Sequence, residues 1–343
     1  MRLEPLRLRL RALGARPRHE HSVLRHWAQA LPQQPRSRRE EVLPAPLQAA
    51  LPAIESEWAA LARLRSAHPT DDGSERLLID LADGEAVEAV LLPREGLCVS
   101  TQVGCAVGCL FCMTGRDGLR RQLGSAEIVA QVALARRRRA VKKVVFMGMG
   151  EPAHNLDNVL EAIELLGTAG GIGHKNLVFS TVGDARAFER LPLGAVKPAL
   201  ALSLHSTRRE LRERLLPRAP RWEPAELVEA ADRYGRATGY PVQVQWTLLD
   251  GVNDGEDEVE GLVRLLAGRH AVLNLIPYNR VPDLPYRRPA QERAAAMARA
   301  LHRRGVLTKL RYSAGQDVDA GCGQLRARLG AEDAAPRIAI RAA

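Results

Sequence analysis

Three cysteines, Cys105, Cys109 and Cys112, stand at a Cys-x3-Cys-x2-Cys spacing. Thiolates bind soft metals and iron–sulfur clusters. A loop carrying three of them can hold three irons of a [4Fe–4S] cube. The fourth iron is then open to take a small-molecule ligand and pass it an electron. A structural zinc site instead wants four ligands, usually as two spaced pairs. The nearest candidates for a fourth are Cys98, upstream, and His154, far downstream. Five cysteines in 343 residues are too sparse, and odd in number, for a disulfide framework. Buried core thiols are the remaining structural alternative.

Other polar residues fall just after short apolar runs. Met147-Gly148-Met149-Gly150-Glu151-Pro152 joins glycines, which let backbone approach a ligand, to a glutamate able to accept bonds from an ammonium group. Ser180, Ser203-Leu204-His205 and Asn279 occupy similar positions, and each is unremarkable in isolation. Cys98 and Cys322 lie outside the three-cysteine loop, and Cys322 sits among glycines and acidic residues rather than apolar ones. Glu88 stands alone among apolar neighbours, where the pattern by itself assigns it only to a solvent face.

The elements that must position these residues read as alternating strands and helices from residue 97 onward. Strands are expected at 97–102, 143–147, 177–181, 199–204, 242–249, 272–277 and 307–311. Helices are expected at 125–139, 156–166, 208–215, 224–238, 257–266 and 290–304. Ser125 is the expected N-cap of the first, with Glu127 favourable in its first turn. Such alternation implies an α/β fold with a parallel sheet. About six repeats are too few for a closed eight-fold barrel, so a partial barrel follows, with chemistry at the C-terminal strand ends. Ahead of it, 76–81 and 86–92 read as a hairpin across Asp83-Gly84-Glu85, after a turn at Asp71-Asp72-Gly73-Ser74. The expected division is a helical unit over 1–66, a β-hairpin link over 67–95, a core over 96–330 and a tail over 331–343.

Residues 1–40 carry ten arginines (2, 7, 9, 11, 16, 18, 25, 36, 38 and 39) against glutamates 4, 20 and 40. Leu13, Val23, Leu24, Trp27 and Leu31 suggest short amphipathic helices interrupted by Pro17, Pro32 and Pro35. A further helix is expected over 52–65, with Pro52 in its first turn. The net charge of +10 makes a polyanionic partner plausible, and the basic N-terminal face is a candidate RNA grip. A solvated basic surface explains the same charge. Arg136-Arg137-Arg138-Arg139 reads as a dipole-compatible helix end or as a phosphate contact. Aromatic residues make up only 4% of the chain, so no stacking platform is evident. No run approaches a membrane span and the N-terminus lacks an apolar signal core, which with reduced thiols fits the cytoplasm.

The cysteine loop followed by the Gly-Glu-Pro motif resembles the radical S-adenosylmethionine (SAM) superfamily. The resemblance narrows to the RlmN/Cfr family of radical SAM RNA methyltransferases. It rests on Cys98-Val99-Ser100-Thr101-Gln102-Val103-Gly104-Cys105, the cluster loop into Thr114-Gly115, and Phe146 to Pro152. Ser203-Leu204-His205, Gly251-Val252-Asn253-Asp254, Asn274 to Asn279 and the Cys322 segment complete it. It spans almost the whole chain.

This resemblance implies that Cys105, Cys109 and Cys112 ligate a [4Fe–4S] cluster and that Gly150, Glu151, Ser180, Ser203, Leu204, His205 and Asn279 bind SAM. Cys322 would take a methyl group from one SAM, becoming S-methylcysteine. A second SAM, cleaved reductively, would give a 5′-deoxyadenosyl radical that abstracts hydrogen from that methyl. The methylene radical would add to an adenine carbon, C2 or C8, in ribosomal or transfer RNA. Such carbons are not nucleophilic, so polar methyl transfer fails there. Glu88 matches the family's proton acceptor. Cys98 would attack Cys322, releasing the base and leaving a transient disulfide. The implied partners are RNA and an electron donor such as flavodoxin or ferredoxin, with a monomer as the default state. Three stretches depart from the family pattern: Leu216-Pro217-Arg218-Ala219-Pro220, Gln122 where asparagine is common, and Ser313-Ala314-Gly315. They point to a paralogue of RlmN rather than RlmN itself. The alternatives are a radical SAM enzyme acting on a small molecule or peptide, and a metal-stabilised RNA-binding protein.

Overall fold

The computed structural model describes residues 1–32 and 43–327. Pro35, Arg36, Arg38, Arg39 and Glu40 of the N-terminal run, and the tail 331–343, lie outside the described residues. Three helices come first: α1 (Leu3–Ala12), α2 (Pro17–Ala28) and α3 (Ala45–Ala60). Pro17 opens α2, where a missing N–H and a fixed φ cost nothing. Pro52 does not open the third helix. That helix starts at Ala45, and Pro52 lies inside it, on an exposed side where water can meet the carbonyl left without a partner. The helix also stops short of residue 65, because Arg63–Pro69 pairs as strand β1. The buried faces of the helices meet through Trp27 and Trp58, whose ring centroids are 4.7 Å apart.

β1, β2 (Glu75–Asp80), β3 (Ala86–Leu92) and β4 (Gly96–Cys98) pair antiparallel in chain order. The expected strand over 97–102 is broken after Cys98. Gln131 captures the backbone of Ser100 on both sides, accepting from its N–H at 3.0 Å and donating to its carbonyl at 2.9 Å. The chain then re-forms as β5 (Gln102–Gly104), which pairs with β6 (Leu119–Gln122) and brackets the three-cysteine loop.

Strand and helix then alternate: α4 (Ser125–Arg136), β7 (Lys143–Phe146), α5 (Leu156–Gly167), β8 (Leu177–Thr181), α6 (Ala185–Arg190), β9 (Ala199–Ser203), α7 (Arg209–Leu215) and α8 (Pro224–Thr238). β10 (Val242–Leu248), α9 (Glu256–Leu266), β11 (Ala271–Pro277), α10 (Gln291–Arg303) and β12 (Thr308–Leu310) complete the core. β4 and β7 to β12 run parallel as neighbours, so one ten-stranded sheet has an antiparallel edge and a parallel body. This is the α/β partial barrel expected of the sequence. The N-cap of α4 is Gly124 rather than Ser125. Glu127 accepts from the Gly124 N–H at 2.7 Å, and Ser125 Oγ accepts instead from Leu3, docking the N-terminal helices onto the barrel.

Several arginines are spent on contacts within and between these elements. Arg136 donates to the carbonyls of Ala28 and Gly170, Arg138 pairs with Glu75, and Arg139 donates to those of Gly73 and Leu92. Arg7 and Arg11 share Glu20, and Arg9 pairs with Glu57. Among the described residues no helix is long and apolar enough to cross a membrane.

Candidate active site

The loop between β5 and β6 is bedded in a small apolar cluster of its own, formed by Val107, Phe111, Met113, Val182, Leu215 and Tyr278 with others, and the three cysteines pack against it. Backbone bonds hold it in place: Leu110 N–H donates to Leu215 O at 3.0 Å and Cys105 N–H to Gly118 O at 3.0 Å. Gly108 and Gly115 cross so closely that a Cβ on Gly115 would lie 2.7 Å from the Gly108 Cα. Burial pushes the Cys105 thiol up to about 12 and raises Cys109 and Cys112 too. Cys105 and Cys109 are raised further by neighbouring cysteines of the set. Thiols that resist ionisation together call for a shared cationic partner.

A single ion fits them poorly. Among the described residues no three Cys, His, Asp or Glu side chains converge as ligands of one metal ion. A four-iron cube takes each thiolate on a different iron, so its ligands need not converge. Both candidates for a fourth zinc ligand face elsewhere. His154 interacts with Asp184 and Arg186, and Cys98 with Cys322.

Glu151 follows β7, with Gly150 before it at φ +106°, where a Cβ would strike the Gln102 side chain at 2.6 Å. Gln102 Oε1 accepts from the Glu151 N–H at 2.7 Å, and Gln102 Nε2 donates to Gln122 at 2.8 Å. The Glu151 carboxylate is 5% exposed and accepts from the N–H groups of Ala153 and Val182. Burial nevertheless pushes it up to about 7, because those bonds do not replace lost water. An ammonium group at this carboxylate would restore its charge.

Ser180, Ser203, Leu204 and His205 lie at or just past the C-terminal ends of β8 and β9. His205 takes φ +60°, and its Nδ1 accepts from the Thr247 N–H at 2.9 Å. That bond leaves the proton on Nε2. Burial, with Arg212 nearby, lowers the imidazole to about 3, so it is neutral. Arg212 on α7 is 1% exposed, and its Nε has no partner. It donates to the Val182 carbonyl, while the Val182 N–H donates to Glu151. Its charge therefore lies close to both Glu151 and Cys109.

The segment carrying Cys322 closes over the loop. Gly323 O accepts from the Met113 N–H at 2.7 Å, and Leu325 O accepts from Thr114 at 2.7 Å. The Cys322 thiol is near enough to act electrostatically on both Cys98 and Cys112. None of the five cysteines is in a disulfide. Asn279 is occupied within this segment. Its Nδ2 donates to Cys322 O and Ser313 Oγ, and its Oδ1 accepts from Arg288. Glu88 is fully buried and hydrogen-bonded rather than solvent-facing.

Sequence reasoning missed Arg212, Gln102 and Arg76. A signal for Arg212 existed, since it shares a helix face with the buried Leu211 and Leu215. The three departures all line the site. A Cβ on Gly108 would come within 2.9 Å of Arg218, Gln122 supports Gln102, and Ser313 Oγ accepts from the Cys322 N–H.

Residues 99–266 match the radical SAM superfamily. The chain is 78% identical over 328 residues to a probable RNA methyltransferase of Methylibium petroleiphilum, covering 96% of this chain and 93% of that protein. It is 71% identical to a probable RNA methyltransferase of Leptothrix cholodnii, over 99% of this chain and 98% of the other. The crystal structure of a radical SAM methyltransferase from Sphaerobacter thermophilus superposes with a TM-score of 0.82 at 35% identity, covering 96% of this chain and 98% of that one.

Proposed function

The chain belongs to the RlmN/Cfr family of radical SAM RNA methyltransferases, and on that premise we propose that it methylates an adenosine base carbon through Cys322. It is a SAM-dependent RNA methyltransferase, and the family brings a [4Fe–4S] cluster, SAM and an RNA substrate. The observation that carries the finer reading is the nearness of Cys322 to both Cys98 and Cys112, with its segment bonded to the cluster loop.

Cys105, Cys109 and Cys112 hold the cluster, which with SAM supplies a hydrogen-abstracting radical. Glu151 holds the ammonium of SAM, and Ser180, Ser203, Leu204, His205 and Asn279 surround the rest. Two SAM molecules are used per turnover. Cys322 loses its proton and takes a methyl group from the first, leaving S-adenosylhomocysteine. After that carbon has lost a hydrogen and bonded to C2 or C8 of the base, Glu88 takes the proton the ring gives up. The cluster, held by Cys105, Cys109 and Cys112, would be the acceptor for the accompanying electron. Cys98, as thiolate, then attacks the Cys322 sulfur. An S–S bond forms, the S–C bond breaks, and the electron pair stays on the carbon, which is protonated to a methyl group. Two further electrons from a flavodoxin- or ferredoxin-class donor return the disulfide to thiols.

Residues 1–66 act as the basic RNA-gripping unit, 67–95 as the link, 96–330 as the core and 331–343 as a tail. The departures that line the site favour a paralogue of RlmN with its own ribosomal or transfer RNA target. The working state is a cytoplasmic monomer.

Mass spectrometry of Cys322 from cluster-loaded protein, wild type against Cys98→Ala, tests this reading. The expected result is S-methyl-Cys322 in the wild type and a covalently attached RNA fragment in the variant. An unmodified Cys322 in both, with the cluster assembled, overturns the methyl-carrier role.

A further inference from the structure

The Glu88 carboxylate is 0% exposed and takes three donors from two directions. Arg76 Nη1 reaches Oε1 at 2.6 Å from the neighbouring strand. The backbone N–H groups of Arg326 and Ala327 reach Oε2 at 2.7 and 2.8 Å. Ala327 adopts φ +52°, a left-handed conformation that turns successive amides toward one acceptor. A second acid holds the other end of the same segment, where Asp72 Oδ2 accepts from the Gly315 N–H at 3.0 Å. Cys322 lies between these two fastenings, and further bonds tie its neighbours Gly323 and Leu325 to the cluster loop. Both oxygens are thereby engaged.

We propose that Glu88 is the latch of the Cys322 arm, a positioning residue that fixes residues 326–327 to β3 and thereby holds Cys322 against the cluster loop. The proposal rests on the reading of Cys322 as the methyl carrier, and it adds a condition to the proton-accepting role. The amides of Arg326 and Ala327 occupy Oε2, so any other group that approaches that oxygen competes with the closed arm. Base chemistry at Oε2 therefore requires the end of the arm to let go. Arg76 stays bonded to Oε1 meanwhile, so release at Oε2 does not leave the buried carboxylate without a partner.

Hydrogen–deuterium exchange on the full-length, cluster-loaded protein without RNA tests the latch separately from methylation. Arg326→Pro removes one amide donor from the arm, whereas Arg326→Ala removes only the side chain that pairs with Asp117. Exchange in the peptide 321–325 is expected to rise roughly tenfold or more in Arg326→Pro and in Glu88→Gln, as loss of a charge-assisted bond implies. In Arg326→Ala it rises far less. Equal exchange in the two Arg326 variants overturns the latch, as does unchanged exchange in a folded Glu88→Gln protein. If Glu88→Gln does not fold, the Arg326 pair decides alone, since it leaves β3 untouched. A latch that fails while Cys322 is still found methylated leaves the methyl-carrier reading intact.

Discussion

On the antiparallel edge of the sheet, the acids that touch the Cys322 arm are saturated with donors. Glu88 accepts three hydrogen bonds on two oxygens. Asp72 accepts from Thr70, from the Ser74 hydroxyl and amide, and from Gly315. Partial burial works to raise Asp72, but these donors outweigh it and hold the carboxyl well below the usual range. In the parallel body the balance runs the other way. Burial pushes Glu151 up to about 7 despite its donors, His205 is neutral, and the Cys105 thiol is raised to about 12. Acids bonded to the arm fasten it, whereas groups that burial leaves short of charge wait for a ligand. One sheet thus carries a clamp at its edge and a binding site at its centre.

The largest effect that can break this contrast lies at Glu151. Glu151→Gln keeps the shape but removes the charge an ammonium group needs. SAM affinity, read by anaerobic equilibrium binding, is expected to fall roughly 10- to 100-fold, as for loss of a charge-assisted bond. Iron and sulfide content stay at wild-type levels. Asp72→Asn at the clamp leaves SAM affinity within about twofold, because that carboxylate is already spent on its own loop. Equal losses in both variants would erase the distinction between the two halves.

A smaller effect sharpens it at His205. The folded-state value of about 3 lies below the ordinary 6.5, so the unfolded chain binds more protons between those limits. The associated stability is complete above pH 6.5 and is lost as pH falls toward 3. Between pH 7 and pH 5.5, wild type is expected to lose roughly 1 kcal/mol more than His205→Gln in urea unfolding. Parallel losses in the two proteins would mean that His205 is protonated in the fold after all.

What the sequence disclosed divides along the same line. The parallel body was legible because each of its strands is a short apolar run bounded by helix signals, and β7 to β12 all fall on expected segments. β1 was not, since Arg63-Leu64-Arg65-Ser66 is an edge strand without a buried face to impose alternation. Residues 99–101 read as strand but are diverted by Gln131, a partner on a different element. The site was legible where chemistry fixes spacing, as in the three-cysteine loop. It was not legible for Arg212, Gln102 and Arg76, whose contacts exist only after distant segments meet. Arg76 and Glu88 carried a trace, because Leu78 pairs with Glu88 and Arg76 with Val90, putting both charges on one face. Neither strand reveals that trace alone.

The smallest expected effect concerns the arginine run at the end of α4. Arg136, Arg138 and Arg139 each have protein partners, and the Arg138 pair with Glu75 is partly exposed. Arg138→Ala is therefore expected to change stability by less than about 0.5 kcal/mol. It should also leave the salt dependence of RNA binding where it was. A residue that neutralises a phosphate contributes roughly 0.7 to 0.9 to the slope of log affinity against log salt. Binding to the substrate RNA, measured at several salt concentrations, separates the cases, since a structural arginine leaves that slope unchanged. A slope reduced by one contact would mean that Arg138 abandons Glu75 for phosphate when RNA arrives. The helix end would then belong to the RNA surface, and the antiparallel edge would do more than fasten the arm.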